Sequence, residues 1–125
     1  MKKEPVIKVL KVEPDKAPEL IEMPNELEAM QAIVGGYIEV LPIAEDVAIV
    51  CNEEGKMKRL EANRPLYHEG KMYDIVVGTF FIAGDDISIG EFVSLTDEQI
   101  AQYEKQFHTP VMFVNLGGEI IAVPR

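Results

Sequence analysis

Apolar and polar positions change their period several times along this chain, and each change predicts an element. Residues 6–12 are β-branched and apolar and stop at Glu13-Pro14-Asp15, which reads as a first strand. Pro18 and Pro24 bracket residues 19–23, an extended connection able to add a short edge strand but not a helix. Leu27, Met30, Ile33 and Val34 then recur at spacings of three and four. Asn25 as N-cap, Glu28 three positions on and Gly35-Gly36 as C-cap complete a helix signal. Alternation returns over residues 37–41 and is closed by Pro42. Residues 46–51 and 56–60 flank Asn52-Glu53-Glu54-Gly55, the clearest hairpin signal of the chain.

A polar segment, residues 61–66, leads to a turn at His68-Glu69-Gly70-Lys71 and then to the long apolar run 72–83. Gly78 lies in the middle of that run, where it predicts a bulge or a bend. A short strand is expected over residues 91–95. Thr96 with Gln99 forms a capping box, Asp97 and Glu98 suit the first turn, and Ile100, Tyr103 and Phe107 make an apolar stripe, so a second helix follows. Residues 111–114 and 119–123 flank Asn115-Leu116-Gly117-Gly118 as another hairpin. The expected fold is α+β: a bent, mostly antiparallel sheet of about seven strands, curved toward a half-barrel, with two amphipathic helices packed on it.

Length and composition narrow the classes. The 125 residues, 47% of them apolar, fit one domain spanning 1–125, with a core that needs neither disulfide nor metal. Twenty-two acidic against twelve basic side chains give a formal charge of −10, which argues against direct nucleic-acid binding. The excess is local: residues 13–54 carry eleven acids and only Lys16, whereas residues 55–71 hold five basic groups against two acids. A single cysteine and two histidines leave most nucleophile and metal constellations unbuilt, and neither a cofactor nor a metal is expected. Cys51, in an apolar run, reads as core. No targeting segment and no apolar run near the ~20 residues of a membrane helix is seen, which points to the cytoplasm.

Val34-Gly35-Gly36-Tyr37-Ile38-Glu39, Cys51-Asn52-Glu53-Glu54-Gly55-Lys56, Ala62-Asn63-Arg64, Tyr73-Asp74-Ile75, Gly78-Thr79-Phe80 and Phe92-Val93-Ser94-Leu95-Thr96-Asp97 follow one another in order. This series resembles a domain-of-unknown-function family of small acidic proteins from phages, plasmids and mobile elements of Firmicutes. The resemblance covers residues 6–107 and leaves 108–125, with the last hairpin, as an extension. It implies a setting rather than a reaction: an accessory protein of the host-cell cytoplasm that acts by binding, as when a host defence signal is sequestered.

Against that background, Arg64 is expected to grip a phosphate or carboxylate and Asn63 to read an amide or base edge. Lys58, Arg59 and Lys71 add positive potential, and Tyr67, Tyr73, Phe80 or Tyr37 offers a ring, with Thr79 beside them. The bland alternative pairs Arg64 with a carboxylate and spends Asn63 on a turn. Gly35-Gly36 is a helix C-cap before it is a phosphate loop, because it follows the helix. Asp85-Asp86 and Glu45-Asp46 read as solvated turns, and His68 and His108 lack metal partners. The favoured expectation is a non-enzymatic protein holding a small anionic or nucleotide-like ligand. Two alternatives stand beside it: an acidic, DNA-mimicking inhibitor of a basic host protein, and a hydrolase with an unrecognised carboxylate site. The last hairpin can cover its own sheet or pair with a second chain in a homodimer.

Overall fold

The computed structural model describes residues 4–125. Its elements are β1 (Val6–Val12), β2 (Glu19–Pro24), α1 (Leu27–Val34), β3 (Ile38–Ala44), β4 (Val47–Asn52) and β5 (Ala62–His68). They continue as β6 (Lys71–Val77), β7 (Phe80–Asp86), β8 (Glu91–Val93), α2 (Asp97–Gln106), β9 (Val111–Leu116) and β10 (Glu119–Pro124). The main sheet runs β2-β1-β7-β4-β3, with β8 on the far part of β7, and every pairing is antiparallel. Two separate hairpins, β5–β6 and β9–β10, complete it.

Alternation along the central strands explains the layering. Leu10 and Val12, Phe80 and Ile82, and Val47, Ile49 and Cys51 face one way, where Leu66, Val76, Tyr103 and Phe107 meet them. Ile7, Val9, Val50, Phe81 and Ala83 face the other way, onto Met30 and Val34 of α1. The sheet is thus covered on both faces, and all six residues of β4 are buried.

The α+β class and the antiparallel pairing are as the pattern predicts, but among the described residues ten strands in three sheets replace one bent sheet of about seven, and the main sheet does not close. Residues 56–60 form no strand. Lys58 N–H donates to Glu54 O and Leu60 N–H to Gly55 O, so the segment is a run of turns, and β4 takes β3 as its hairpin partner instead. Pro42 does not end β3, because β3 is an edge strand that needs no second ladder; it passes Pro42 with a bulge before Ala44. Asn25 is not the cap of α1: Glu26 holds that position without a side-chain cap bond, and the Asn25 Nδ2 donates instead to the carbonyls of Glu4 and Phe92. The bend expected at Gly78 is present: the chain leaves β6 there and enters the main sheet as β7, at a φ of +73° where an added Cβ would meet Leu60 Cδ1 at 2.8 Å. The Thr96–Gln99 capping box is formed in both directions.

The polar segment 61–66 is strand β5 from Ala62 on, and its two polar residues Asn63 and Arg64 point inward. Asn63, fully buried, donates to Val12 O at 2.9 Å and Gly78 O at 2.8 Å, so its amide ties the end of β1 to the bend between β6 and β7. Its own oxygen accepts from Arg64 Nη1 at 2.8 Å. Arg64, 1% exposed, further donates to Phe107 O at 3.0 Å, Pro14 O at 3.2 Å and Lys16 O at 2.6 Å. Phe107 is the C-cap of α2, so the guanidinium supplies both a donor and a positive charge to the end of a helix dipole. Burial, and secondarily the charge of Arg125, lowers the Arg64 pKa from the ordinary arginine value.

Arg64→Met leaves these carbonyls without a donor and is expected to cost about 3 kcal/mol or more, read as a lower urea midpoint with an unchanged slope. Arg64→Lys restores only part of that loss, because one ammonium cannot reach carbonyls arranged around a planar fork. A Met variant as stable as the wild type contradicts the role. Burial, then Glu39 and Asp74, push the Cys51 thiol up to about 12 against the pull of Lys56. The folded thiol therefore contributes stability below pH ~9, where both states are protonated, and loses it as pH climbs toward 12, by at most about 1.4 kcal/mol per pH unit. Alkaline unfolding of Cys51→Ala is expected to be flatter than wild type across that window.

Candidate functional site

Two rings remain in solvent on the β5–β6 hairpin. Its turn, Glu69-Gly70, holds both residues at positive φ, +50° and +79°, a geometry that lets two residues join tightly twisted strands. Tyr67 before the turn is 53% exposed and Tyr73 after it 58%. Both line an open groove of about 890 Å³ whose walls are residues 70–75 and, from the turn into β10, residues 118–122, with Lys56 beside them. Met72, Ile75, Ile120, Ile121 and Ala122 give it apolar surface. Lys56 is ion-paired with Asp74, whereas Lys71 has no ion-pair partner among the described residues. Glu119 is the other acid of the lining, so the groove carries two cations and two anions within a chain of charge −10. Rings, apolar surface and one unpaired lysine suit a flat ligand bearing an acidic group.

The structure divides the expected site residues among several places. Asn63 and Arg64 face neither solvent nor a carboxylate: backbone carbonyls take both amide N–H groups of Asn63 and three hydrogen bonds of the Arg64 guanidinium, and Asn63 Oδ1 takes a fourth. Phe80 is fully buried and meets Phe107 edge-to-face, with ring centroids 5.9 Å apart, so it has no face for a ligand. Thr79 is half-buried at the bend before β7 and does not line the groove. Tyr37 is 65% exposed but lines a different depression with Gly35, Gly36 and Lys58. Gly35 N–H donates to Gln31 O, confirming a C-cap in place of a phosphate loop. Lys58 pairs with Glu54, and Lys71 alone of the three flanking cations reaches the rings. Lys56, Asp74 and the β10 wall went unread because nothing local in the sequence says that β10 lies beside β6.

The two acid pairs come together. Glu45, Asp46, Asp85 and Asp86 border one depression, where Asp85 N–H donates to Asp46 O at 2.8 Å and Gln99 Nε2 donates to Asp46 Oδ2 at 3.1 Å. Asp86 accepts from the backbone and hydroxyl of Ser88, as a turn residue does. Among the described residues no group of three His, Cys, Asp or Glu is placed to hold a metal ion, and His108 Nδ1 is 2.8 Å from Glu104 Oε2 at the end of α2. Nor is any helix among them long and apolar enough to cross a membrane.

Comparison with curated proteins and with solved structures finds no match. A family does match, from β1 to the residue after the α2 cap, and ends before β9 begins. Over those residues, 7–108, the chain belongs to the family described as a domain of unknown function, DUF3846.

Proposed function

We propose that this is a binding protein whose groove between β6 and β10 takes a small planar ligand carrying an anionic group. The observation that supports it is the meeting of Tyr67, Tyr73 and the unpaired Lys71 on one groove of an otherwise acidic molecule. Tyr67 and Tyr73 supply stacking faces, Lys71 the counter-charge and Ile120 to Ala122 the apolar contact; Arg64 and Asn63 act only by holding β5 in place. A nucleotide fits that chemistry. The likeness of the motif series to small acidic proteins of phages and mobile elements favours an accessory role, such as holding a host signal, over a reaction.

Adenosine monophosphate at about ten times its dissociation constant is expected to raise the melting temperature by roughly 3–6 °C. Inorganic phosphate alone leaves it unmoved. Tyr73→Ala and Lys71→Gln, both on exposed side chains, abolish the rise while folding normally. A rise retained by both variants, or no rise with any nucleotide tried, contradicts the reading.

The depression that gathers Glu45, Asp46, Asp85 and Asp86 supports a second reading, in which the acidic side occupies a basic groove on another protein. That reading predicts salt-sensitive capture of a basic partner, weakened when Glu26, Glu28, Glu45 and Asp46 are neutralised and indifferent to Tyr73→Ala.

A further inference from the structure

The β9–β10 hairpin is built from apolar residues that the fold covers only in part. Paired residues share a face, so Met112 with Val123 and Val114 with Ile121 occupy one side, and Val111 with Pro124 and Phe113 with Ala122 the other. Both sides are apolar, yet none of the twelve strand residues is buried, and Met112, Leu116 and Ile120 are 49%, 59% and 49% exposed. A two-stranded hairpin is marginal in water without a covered face. Among the described residues β10 also pairs only with β9, which leaves its second edge without a ladder there.

That edge is self-complementary in one register. The turn Gly117-Gly118 makes Leu116 and Glu119 the first pair, and Arg125 N–H donates to Pro110 O at 3.0 Å, so the odd-numbered residues of β10 direct their N–H and C=O groups at β9. Ile120, Ala122 and Pro124 therefore direct theirs outward. Antiparallel pairing of β10 with a second β10, the two-fold axis at Ala122, lets the two Ala122 residues exchange both backbone hydrogen bonds. Ile120 N–H then reaches the Pro124 carbonyl of the other copy, and the missing N–H of Pro124 marks the end of the ladder. The smallest side chain of the strand lies on the axis, and Glu119 comes directly opposite the second copy's Arg125, in a close non-hydrogen-bonded pair. In the single chain Arg125 Nη2 holds Glu61 Oε2 at 2.8 Å on the surface, which leaves its other N–H groups for Glu119.

We infer that the protein forms a two-fold dimer through the edges of β10, with Ala122 on the axis and Glu119 paired to Arg125 across it. Between Val111 and Pro124 the hairpin carries one charge, Glu119, so it is where two copies of charge −10 approach with least repulsion. Its strands begin beyond residue 108, where the family match stops, so the dimer uses a part added to the family domain. Pairing also neutralises Glu119, a groove acid, and lays the second copy's strand along the β10 wall.

Sedimentation equilibrium of the full chain is expected to give twice 14.0 kDa at micromolar concentration. Glu119→Arg and Arg125→Glu each weaken the dimer by about tenfold or more, and the combined charge swap restores it. Glu61→Gln leaves it intact, which separates the inter-chain pair from the intra-chain one. Ala122→Pro, which removes an N–H that β9 does not use, abolishes it. A monomer at every concentration, or a dimer indifferent to Glu119→Arg and Ala122→Pro, overturns the inference. Tyr73→Ala, which removes nucleotide binding, leaves the dimer unchanged, so the two proposals fail separately.

Discussion

A buried guanidinium with no carboxylate beside it sets the terms of this fold. Arg64 carries its charge into the interior and is met by the carbonyls of Phe107, Pro14 and Lys16 and by the amide oxygen of Asn63. An isolated cation at that depth is prohibitively costly; four oriented dipoles, one of them the end of a helix, offset the cost. The partners come from β5, the turn after β1 and the end of α2, which the sequence separates by 43 to 50 positions. The contact therefore closes three long loops in one place, beside the core contacts of Tyr103 and Phe107 with Phe80.

Buried amides repeat the device on a smaller scale. Asn63 joins β1 to the β6–β7 bend, Asn52 donates to Val34 O at the end of α1, and Asn25 joins the segment before β1 to β8. Each satisfies carbonyls that strand and helix ends leave over, and no buried side-chain polar atom among the described residues lacks a partner. The core supplies most of the cohesion, while these groups fix which ends meet. That division leaves the β5–β6 hairpin held at its base by Asn63 and Arg64 and free at its tip, where Tyr67 and Tyr73 stand out into the groove.

How much of this could be read from the residues follows from the range of each interaction. The α2 helix was legible to the cap because Thr96 and Gln99 satisfy each other three positions apart. β1, the C-cap at Gly35 and the last hairpin were likewise local. Residues 61–66 misled because an inward polar side chain and a solvated one look alike until the partner is known, and the partners of Arg64 are distant. The hairpin assigned across Asn52 to Gly55 failed for a related reason: a turn signal says that the chain reverses, not which strand receives β4. Of the residues singled out for a ligand, Tyr67, Tyr73 and Lys71 share a groove while Arg64 and Asn63 are buried, since an arginine followed by aromatics describes a recognition surface and a buried brace equally well.

Arg64 is spent inside the protein before any ligand arrives. Hydrogen exchange at the Arg64 side chain, followed by nuclear magnetic resonance on the ligand-free protein, tests it most directly. An Nε–H that exchanges only as the whole domain opens is expected, its protection already close to the global stability in the free protein and rising with nucleotide no further than that stability does. Rapid exchange in the free protein, with protection gained only on adding a nucleotide, would contradict it and return Arg64 to the binding site.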